Sequence, residues 1–269
     1  MNQAYLISIE PEDSPRRRAF FSENRFDPTD FQVFGVVGAT LSAAVYYQAG
    51  VLQAAHPLTP SEVGCKASHL MALQHFLASP AQYAWIFEDD ARLKAGMMLE
   101  VSQDLTRFGQ GVVLSVGGVD RIAVRNLKGT LLPHLQIAQQ AVLKVHPFFM
   151  SGVHGAYAYM VDRTTAERLL AFHQTPHLTD EWALFCTRYP ETVFLMADVF
   201  AHPMPEDAHF SSYIYTERAL KHQVALHKST VWQILHTWVK AWWFKTRRSY
   251  IRKKLQSYPA GLKSLPLEQ

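Results

Sequence analysis

Three consecutive acids, Glu88, Asp89 and Asp90, close an apolar and aromatic run from Tyr83 to Phe87 that reads as a buried strand. Carboxylates without partners are costly to bury, so a strand ending in three of them is expected to surface there. Strand alternation sets Glu88 and Asp90 on one face and Asp89 on the other. The first two then make an acid-x-acid pair suited to a hard cation, Mg²⁺ or Mn²⁺, which completes its shell with water and substrate phosphate. Open α/β sheets bind ligands at the carboxyl ends of their strands. These residues therefore predict a nucleotide-diphosphate and metal site, and the plainer alternative is a solvated acidic turn.

The elements that must position these acids are legible on both sides. Upstream, Thr59-Pro60-Ser61-Glu62 has the pattern of a capping box with Pro at the first helical position, and launches a helix toward Leu77. On it, Cys65 and His69 share a face with Leu73 and Phe76. They amount to half a zinc site, but no second pair with ligand spacing follows, so a packed helix face is the expectation. A first strand is expected over Ala4 to Ile9, then a helix opened by Ser14-Pro15 with Arg16, Arg17 and Arg18 in its first turn. Cations there oppose the helix dipole, and a nearby anion would relieve them. Phe31 to Val37 reads as the second strand; the stretch from there to His56 has no clear pattern.

Ser61-Glu62-Val63-Gly64-Cys65 with Ser68-His69-Leu70, followed by Trp85-Ile86-Phe87-Glu88-Asp89-Asp90, resembles glycosyltransferase family 25, the lipooligosaccharide-biosynthesis and collagen-galactosyl transferases. Ser61 stands where that family usually has Gly. The resemblance implies a GT-A-like α/β fold with a central, mostly parallel sheet. It implies that Ser8 and one of the three arginines, taken as Arg16, belong to the nucleotide pocket, and it sets Ser68 and His69 beside the donor with Glu88 and Asp89.

Further along, a helix is expected from Leu99 to Phe108, then a strand over Gly111 to Val116 ending in Gly117 and Gly118, with Asp120 beyond. Glycine at a strand end permits close approach of a ligand or marks a plain turn; Gly117 is assigned to the donor. Residues 121–140 are unreadable in detail. His154 to Val161 reads as a strand, with Tyr157 and Tyr159 facing one way, and Thr164 to Glu167 as a capping box. This block also resembles the family, with Asp162 at its usual Ser, and Tyr157 is the candidate to stack on sugar or base. Thr179 is expected to cap a helix beginning Asp180-Glu181-Trp182, and Asp180 matches an acid of the family. Acids at a helix start are favoured by the dipole alone. An inverting sugar transfer also needs a general base for the acceptor hydroxyl, and Asp180 and Glu181 are its candidates. Val193 to Asp198 is a last strand, followed by His202, a candidate third metal ligand, and by His209 where the family tends to carry Gln.

The chain has 269 residues, 48% hydrophobic and 18% charged, with net charge +3, which suits an ordinary folded chain and excludes a disordered or fibrous one. Cys65 and Cys186 make no disulfide framework, and the first residues lack the charged and apolar regions of a secretory leader, so a cytoplasmic protein is expected. No stretch is long and apolar enough to span a bilayer. The region from Ser229 to Leu255 differs: Trp232, Trp238, Trp242 and Trp243 at helical spacing run into Lys245, Arg247, Arg248, Arg252, Lys253 and Lys254. That pattern predicts a helix lying on an anionic membrane surface, with docking on protein as the alternative. Nucleic acid is disfavoured because no binding module accompanies the basic cluster.

The expectation is thus a catalytic domain over 1–220 and a basic helical extension over 221–269. By resemblance, the function is metal-dependent, inverting transfer of a hexose such as galactose. The donor is a nucleotide diphosphate, taken as UDP, and the acceptor an oligosaccharide or lipid-linked sugar of bacterial lipopolysaccharide, at the inner face of the inner membrane. A carbohydrate-binding scaffold at the membrane and a metal-dependent phosphodiester hydrolase are the alternatives.

Overall fold

A computed structural model describes residues 1–42, 58–117, 127–203, 212 and 214–218, and the backbone of 256–257. The expected C-terminal helix, His209, Gly118, Asp120 and residues 43–57 lie outside the described residues. In chain order the elements are β1 (Asn2–Ile7), α1 (Pro15–Asn24), β2 (Phe31–Phe34), α2 (Pro60–Ala78), β3 (Tyr83–Glu88), β4 (Arg92–Leu93), β5 (Val112–Ser115) and β6 (Lys128–Ile137). They continue with β7 (Gln140–Val145), β8 (Ala158–Asp162), α3 (Arg163–Phe172), α4 (Trp182–Arg188), β9 (Val193–Met196), β10 (Phe200–Ala201) and β11 (Gln256–Ser257). None of the described helices is long and apolar enough to cross a membrane.

Nine strands form one sheet in the order β11-β6-β7-β9-β5-β8-β3-β1-β2, and β4 pairs with β10 apart from it. The sheet is mixed. Pairing is parallel through β2-β1-β3 and between β5 and β9. It is antiparallel where β8 enters between β3 and β5 and from β9 outward through β7, β6 and β11. The expected parallel character therefore holds on one side of the acidic strand, toward β1 and β2, while its other neighbour β8 and the β6–β7 hairpin are antiparallel. That hairpin fills the stretch the sequence left unread. Its turn residues, Ala138 and Gln139, both have positive φ, 48° and 62°, a conformation normally signalled by Asn-Gly.

Alternation along β3 feeds two cores. Tyr83, Trp85 and Phe87 pack with Phe20, Phe26, Phe31 and Phe200 on one side of the sheet. Ala84 and Ile86 pack with Leu73, Phe76, Tyr159, Leu169 and Trp182 on the other, under α2, α3 and α4.

Local chemistry sets the helix starts. The capping box forms as expected: Glu62 N donates to Thr59 Oγ1 at 3.3 Å and Thr59 N to Glu62 Oε2 at 2.7 Å. Ser14 caps α1 by accepting from Arg17 N. By contrast α3 starts at Arg163 and is capped by Asp162, not by Thr164; the same carboxylate also accepts from Gly111 N and Val112 N. The helix expected over Leu99 to Phe108 is only a short 3-10 turn, Thr106–Phe108. There Asp104 accepts from the backbone N and the hydroxyl of Thr106, a local bond that competes with helix.

Candidate active site

The acidic edge is built by the register of two parallel strands. Ile7 of β1 lies opposite Glu88 of β3, which brings Ser8 alongside Asp89. Ser8 Oγ donates to Asp89 Oδ2 at 2.5 Å, and Asp89 N donates to Ile7 O at 3.2 Å. Arg16, from the first turn of α1, closes the arrangement. Its Nε donates to Asp89 Oδ1 at 2.6 Å and its Nη2 to Asp90 Oδ2 at 3.2 Å. The anion that the cationic first turn of α1 called for is thus this pair of side chains.

Two sequence expectations fail here for stated reasons. Asp89 and Asp90 do not surface but are 5% and 7% exposed. Arg16, Ser8 and His202 supply the partners that make this burial tolerable. Alternation also stops at Glu88, because the chain turns there, with Ala91 N donating to Glu88 O at 3.0 Å. Asp89 and Asp90 consequently share Arg16, while Glu88 faces α2, where His69 Nε2 lies 3.3 Å and Cys65 Sγ 4.0 Å from its Oε1.

His202 meets Asp90 from the far side, with Nε2 3.2 Å from Asp90 Oδ2 and Nδ1 2.7 Å from Pro203 O. Both ring nitrogens face acceptors, an arrangement that favours the doubly protonated ring. Burial works against that charge, but the hydrogen bond and the charges of Asp90 and Glu88 outweigh it and raise the imidazole pKa. Reciprocally, burial opposes ionisation of Asp90, yet His202, Arg16 and Arg92 hold its pKa below the usual value. Asp89 goes the other way: burial pushes it up to about 6 despite Arg16 and Ser8. One atom of the cluster is left over, since Asp90 Oδ1 is buried without a hydrogen-bond partner among the described residues.

The remaining candidates divide. Ser68 is buried, accepts from Val36 N and donates to Gly64 O, both at 2.8 Å, so its hydroxyl is used within the fold. Gly64 serves the same contact, because a Cβ there would lie 2.4 Å from Val36 O. Gly117 does admit a close neighbour, but that neighbour is Tyr157: a Cβ at Gly117 would fall 2.4 Å from its ring. Tyr157 is buried, donates to Phe200 O at 3.3 Å and packs edge-on to His202. Tyr157 and Tyr159 do not face one way; they lie in opposite cores, because β8 begins only at Ala158. Tyr159 stacks on His69, with its hydroxyl 2.9 Å from Nδ1.

Asp180 and Glu181 precede α4, which starts at Trp182, and neither side chain caps it. Thr179 does not cap it either; its Oγ1 lies 3.9 Å from Cys65 Sγ. Asp180 Oδ2 accepts from Gly155 N at 2.9 Å, and Trp182 Nε1 donates to Gly155 O at 2.9 Å. Gly155, which no motif singled out, thus holds Asp180 from the neighbouring loop. Glu181 instead pairs with His177 Nδ1 at 2.8 Å. Asp180, Glu88 and Asp90 all act electrostatically on the Cys65 thiol, whose pKa burial already raises. The candidate base and the acidic edge therefore surround one half-buried thiol.

The described site joins two carboxylate groups, an arginine and an imidazole at the carboxyl end of a strand, an arrangement able to hold a polyanionic ligand and a hard cation. A comparison with curated proteins finds no match. The family description "Glycosyltransferase family 25 (LPS biosynthesis protein)" matches residues 1–182, which takes in Ser8, Arg16, the three acids and Asp180 and stops before His202. With that match over more than half its length, the chain belongs to glycosyltransferase family 25.

Proposed function

We propose that this glycosyltransferase uses a nucleotide-diphosphate sugar, UDP-linked, and transfers a hexose with inversion to an oligosaccharide acceptor of lipopolysaccharide in a GT-A-like site that needs Mn²⁺ or Mg²⁺. The observation that carries this reading is the orphaned acceptor Asp90 Oδ1, buried at a strand's carboxyl end. A buried oxygen without a partner is rare enough to require an explanation, and a hard cation provides one. Asp90, Glu88 and, once deprotonated, His202 would hold it. When bound, such a cation neutralises charge on a departing diphosphate.

The chain's own groups supply the rest. Arg16 offsets the negative charge of Asp89 and Asp90 and holds both carboxylates in place. Ser8 orients Asp89. Asp180, pinned through Oδ2 by Gly155, is the better placed general base, taking the acceptor hydroxyl proton on its carboxylate, because Glu181 is engaged by His177. The test is a panel of nucleotide sugars screened for thermal stabilisation with and without Mn²⁺, followed by transfer assays on the donors that bind. Metal-dependent stabilisation by one UDP-sugar, and transfer only with acceptor, is the expected result. Hydrolysis without acceptor, or binding without turnover, would overturn it.

The basic, tryptophan-containing tail supports a peripheral site on the cytoplasmic face of the inner membrane. Truncation after Lys228 should abolish co-sedimentation with anionic vesicles at low salt. Equal partition of full-length and truncated protein into the supernatant would reject the membrane role.

A further inference from the structure

The face of Glu88 turned away from Arg16 holds a second constellation, in which the transfer reading uses Glu88 but neither Cys65 nor His69. Cys65 and His69 stand one turn apart on α2, and Glu88 arrives from the end of β3. A ligand atom from each lies within 4.8 Å of the other two. Glu88 Oε1 is 3.3 Å from His69 Nε2 and 4.0 Å from Cys65 Sγ. Donors held tetrahedrally at zinc bond lengths of about 2.0–2.3 Å sit roughly 3.3–3.8 Å from one another, so small side-chain shifts bring all three onto one ion. No second pair at ligand spacing was needed: the third ligand comes from the neighbouring strand.

The surroundings of His69 fit this role. The ring is buried and stacked on Tyr159, at 5.7 Å between centroids and 10° between planes. Its Nδ1 faces the Tyr159 hydroxyl at 2.9 Å, the outer contact that metal-bound histidines regularly make through the nitrogen not on the metal. The two ring contacts fit either tautomer; in the one with the proton on Nδ1, Nε2 turns a lone pair toward the carboxylate, an arrangement that a cation between them reconciles. We propose that Cys65, His69 and Glu88 form a zinc site with its fourth position open toward Thr179. Sulfur with imidazole selects zinc over magnesium or manganese. Binding breaks the S–H bond of Cys65, sends that proton to solvent and forms a zinc–sulfur bond. Both described contacts fall on Glu88 Oε1 and Oε2 takes part in neither; Glu88 is the one residue this site shares with the transfer reading, and Cys65 and His69 belong to the zinc proposal alone.

The test uses the full-length protein freed of metal by chelator dialysis and titrated with Co²⁺, a spectroscopic substitute for Zn²⁺. One equivalent should give tetrahedral visible bands and a near-ultraviolet sulfur-to-cobalt band, and Zn²⁺ should bleach both. Cys65→Ser should lose the near-ultraviolet band. His69→Gln should weaken Zn²⁺ binding by about tenfold or more, the scale on which even outer contacts of metal sites matter. Cys186→Ser should leave the spectrum in place, and so should Asp90→Asn, which probes the other cation site. A wild-type protein without the near-ultraviolet band, or Cys65→Ser retaining it, would overturn the proposal. The trio would then be a hydrogen-bond chain from Tyr159 through His69 to Glu88.

Discussion

Arg16 is the hinge of the acidic edge, and its removal has a calculable cost. Arg16→Ala takes away one guanidinium that bonds Asp89 Oδ1 at 2.6 Å and Asp90 Oδ2 at 3.2 Å. Asp89 keeps only Ser8 among these partners, and Asp90 only His202. Breaking a fully buried pair by removing one partner costs about 3–5 kcal/mol. The acids' side chains are 8% and 10% exposed, but that of Arg16 is 24% exposed, so water replaces part of what is lost. The expected destabilisation is therefore about 2–3 kcal/mol in urea unfolding, with the slope unchanged. Arg16→Lys should recover about half of it, because an ammonium keeps the charge but lacks the fork that spans both acids. In a double-mutant cycle with Asp89→Asn, the two changes should couple by about 1–2 kcal/mol. Arg16→Ala within about 0.5 kcal/mol of wild type, or strict additivity with Asp89→Asn, would refute the account of how these acids are kept buried.

Three further outcomes follow from the same geometry. Asp90→Asn should lower transfer by about two orders of magnitude, the scale of one lost transition-state charge contact, and remove Mn²⁺-dependent donor stabilisation in thermal melts. Asp180→Asn should slow transfer by about 10²- to 10⁴-fold with donor affinity unchanged, since the amide oxygen still accepts from Gly155; Glu181→Gln in the same kinetic assay should do far less. His173 gives a pH dependence: burial, then the charges of Lys66, His177 and His69, lower its pKa to about 3, so its contribution to stability is present above about 6.5 and is lost as pH falls toward about 3. Urea midpoints should therefore decline more steeply below pH 6.5 for wild type than for His173→Leu, by about 1.4 kcal/mol per pH unit, and parallel curves would exclude it.

Much of the fold near the site was legible because it rests on local signals. The buried run of β3, the capping box of α2 and the Ser14 cap of α1 are written in adjacent residues, and all three form. What the sequence concealed depends on partners far along the chain. Antiparallel β8 inserts between β3 and β5, which no local pattern announces. The β6–β7 hairpin turns on Ala138 and Gln139, residues that do not advertise positive φ. In sequence Asp162 stands out only as a departure from the family's usual Ser, yet it caps α3 and ties down the start of β5 at once.

At the site, residue types were readable and directions were not. The three acids, Ser8 and Arg16 were named from pattern and resemblance, but the alternation rule sent Glu88 and Asp90 to one side, because it takes the strand to continue where the chain turns. The same limit decides between the two base candidates. In sequence, Asp180 and Glu181 are equivalent acids at a helix start, and the helix dipole explains either. In the structure both acids stay at the start of α4, Glu181 as the residue before its first turn, and neither carboxylate makes a capping hydrogen bond, so the dipole still favours either. The backbone N–H of Gly155, from another loop, holds the orientation of the Asp180 carboxylate. Glu181 Oε2 lies 2.8 Å from His177 Nδ1, an ion-pair contact on one oxygen that makes no hydrogen bond among the described residues. The contact with Gly155, and not the order of acids along the chain, is what favours Asp180 in the proposed role.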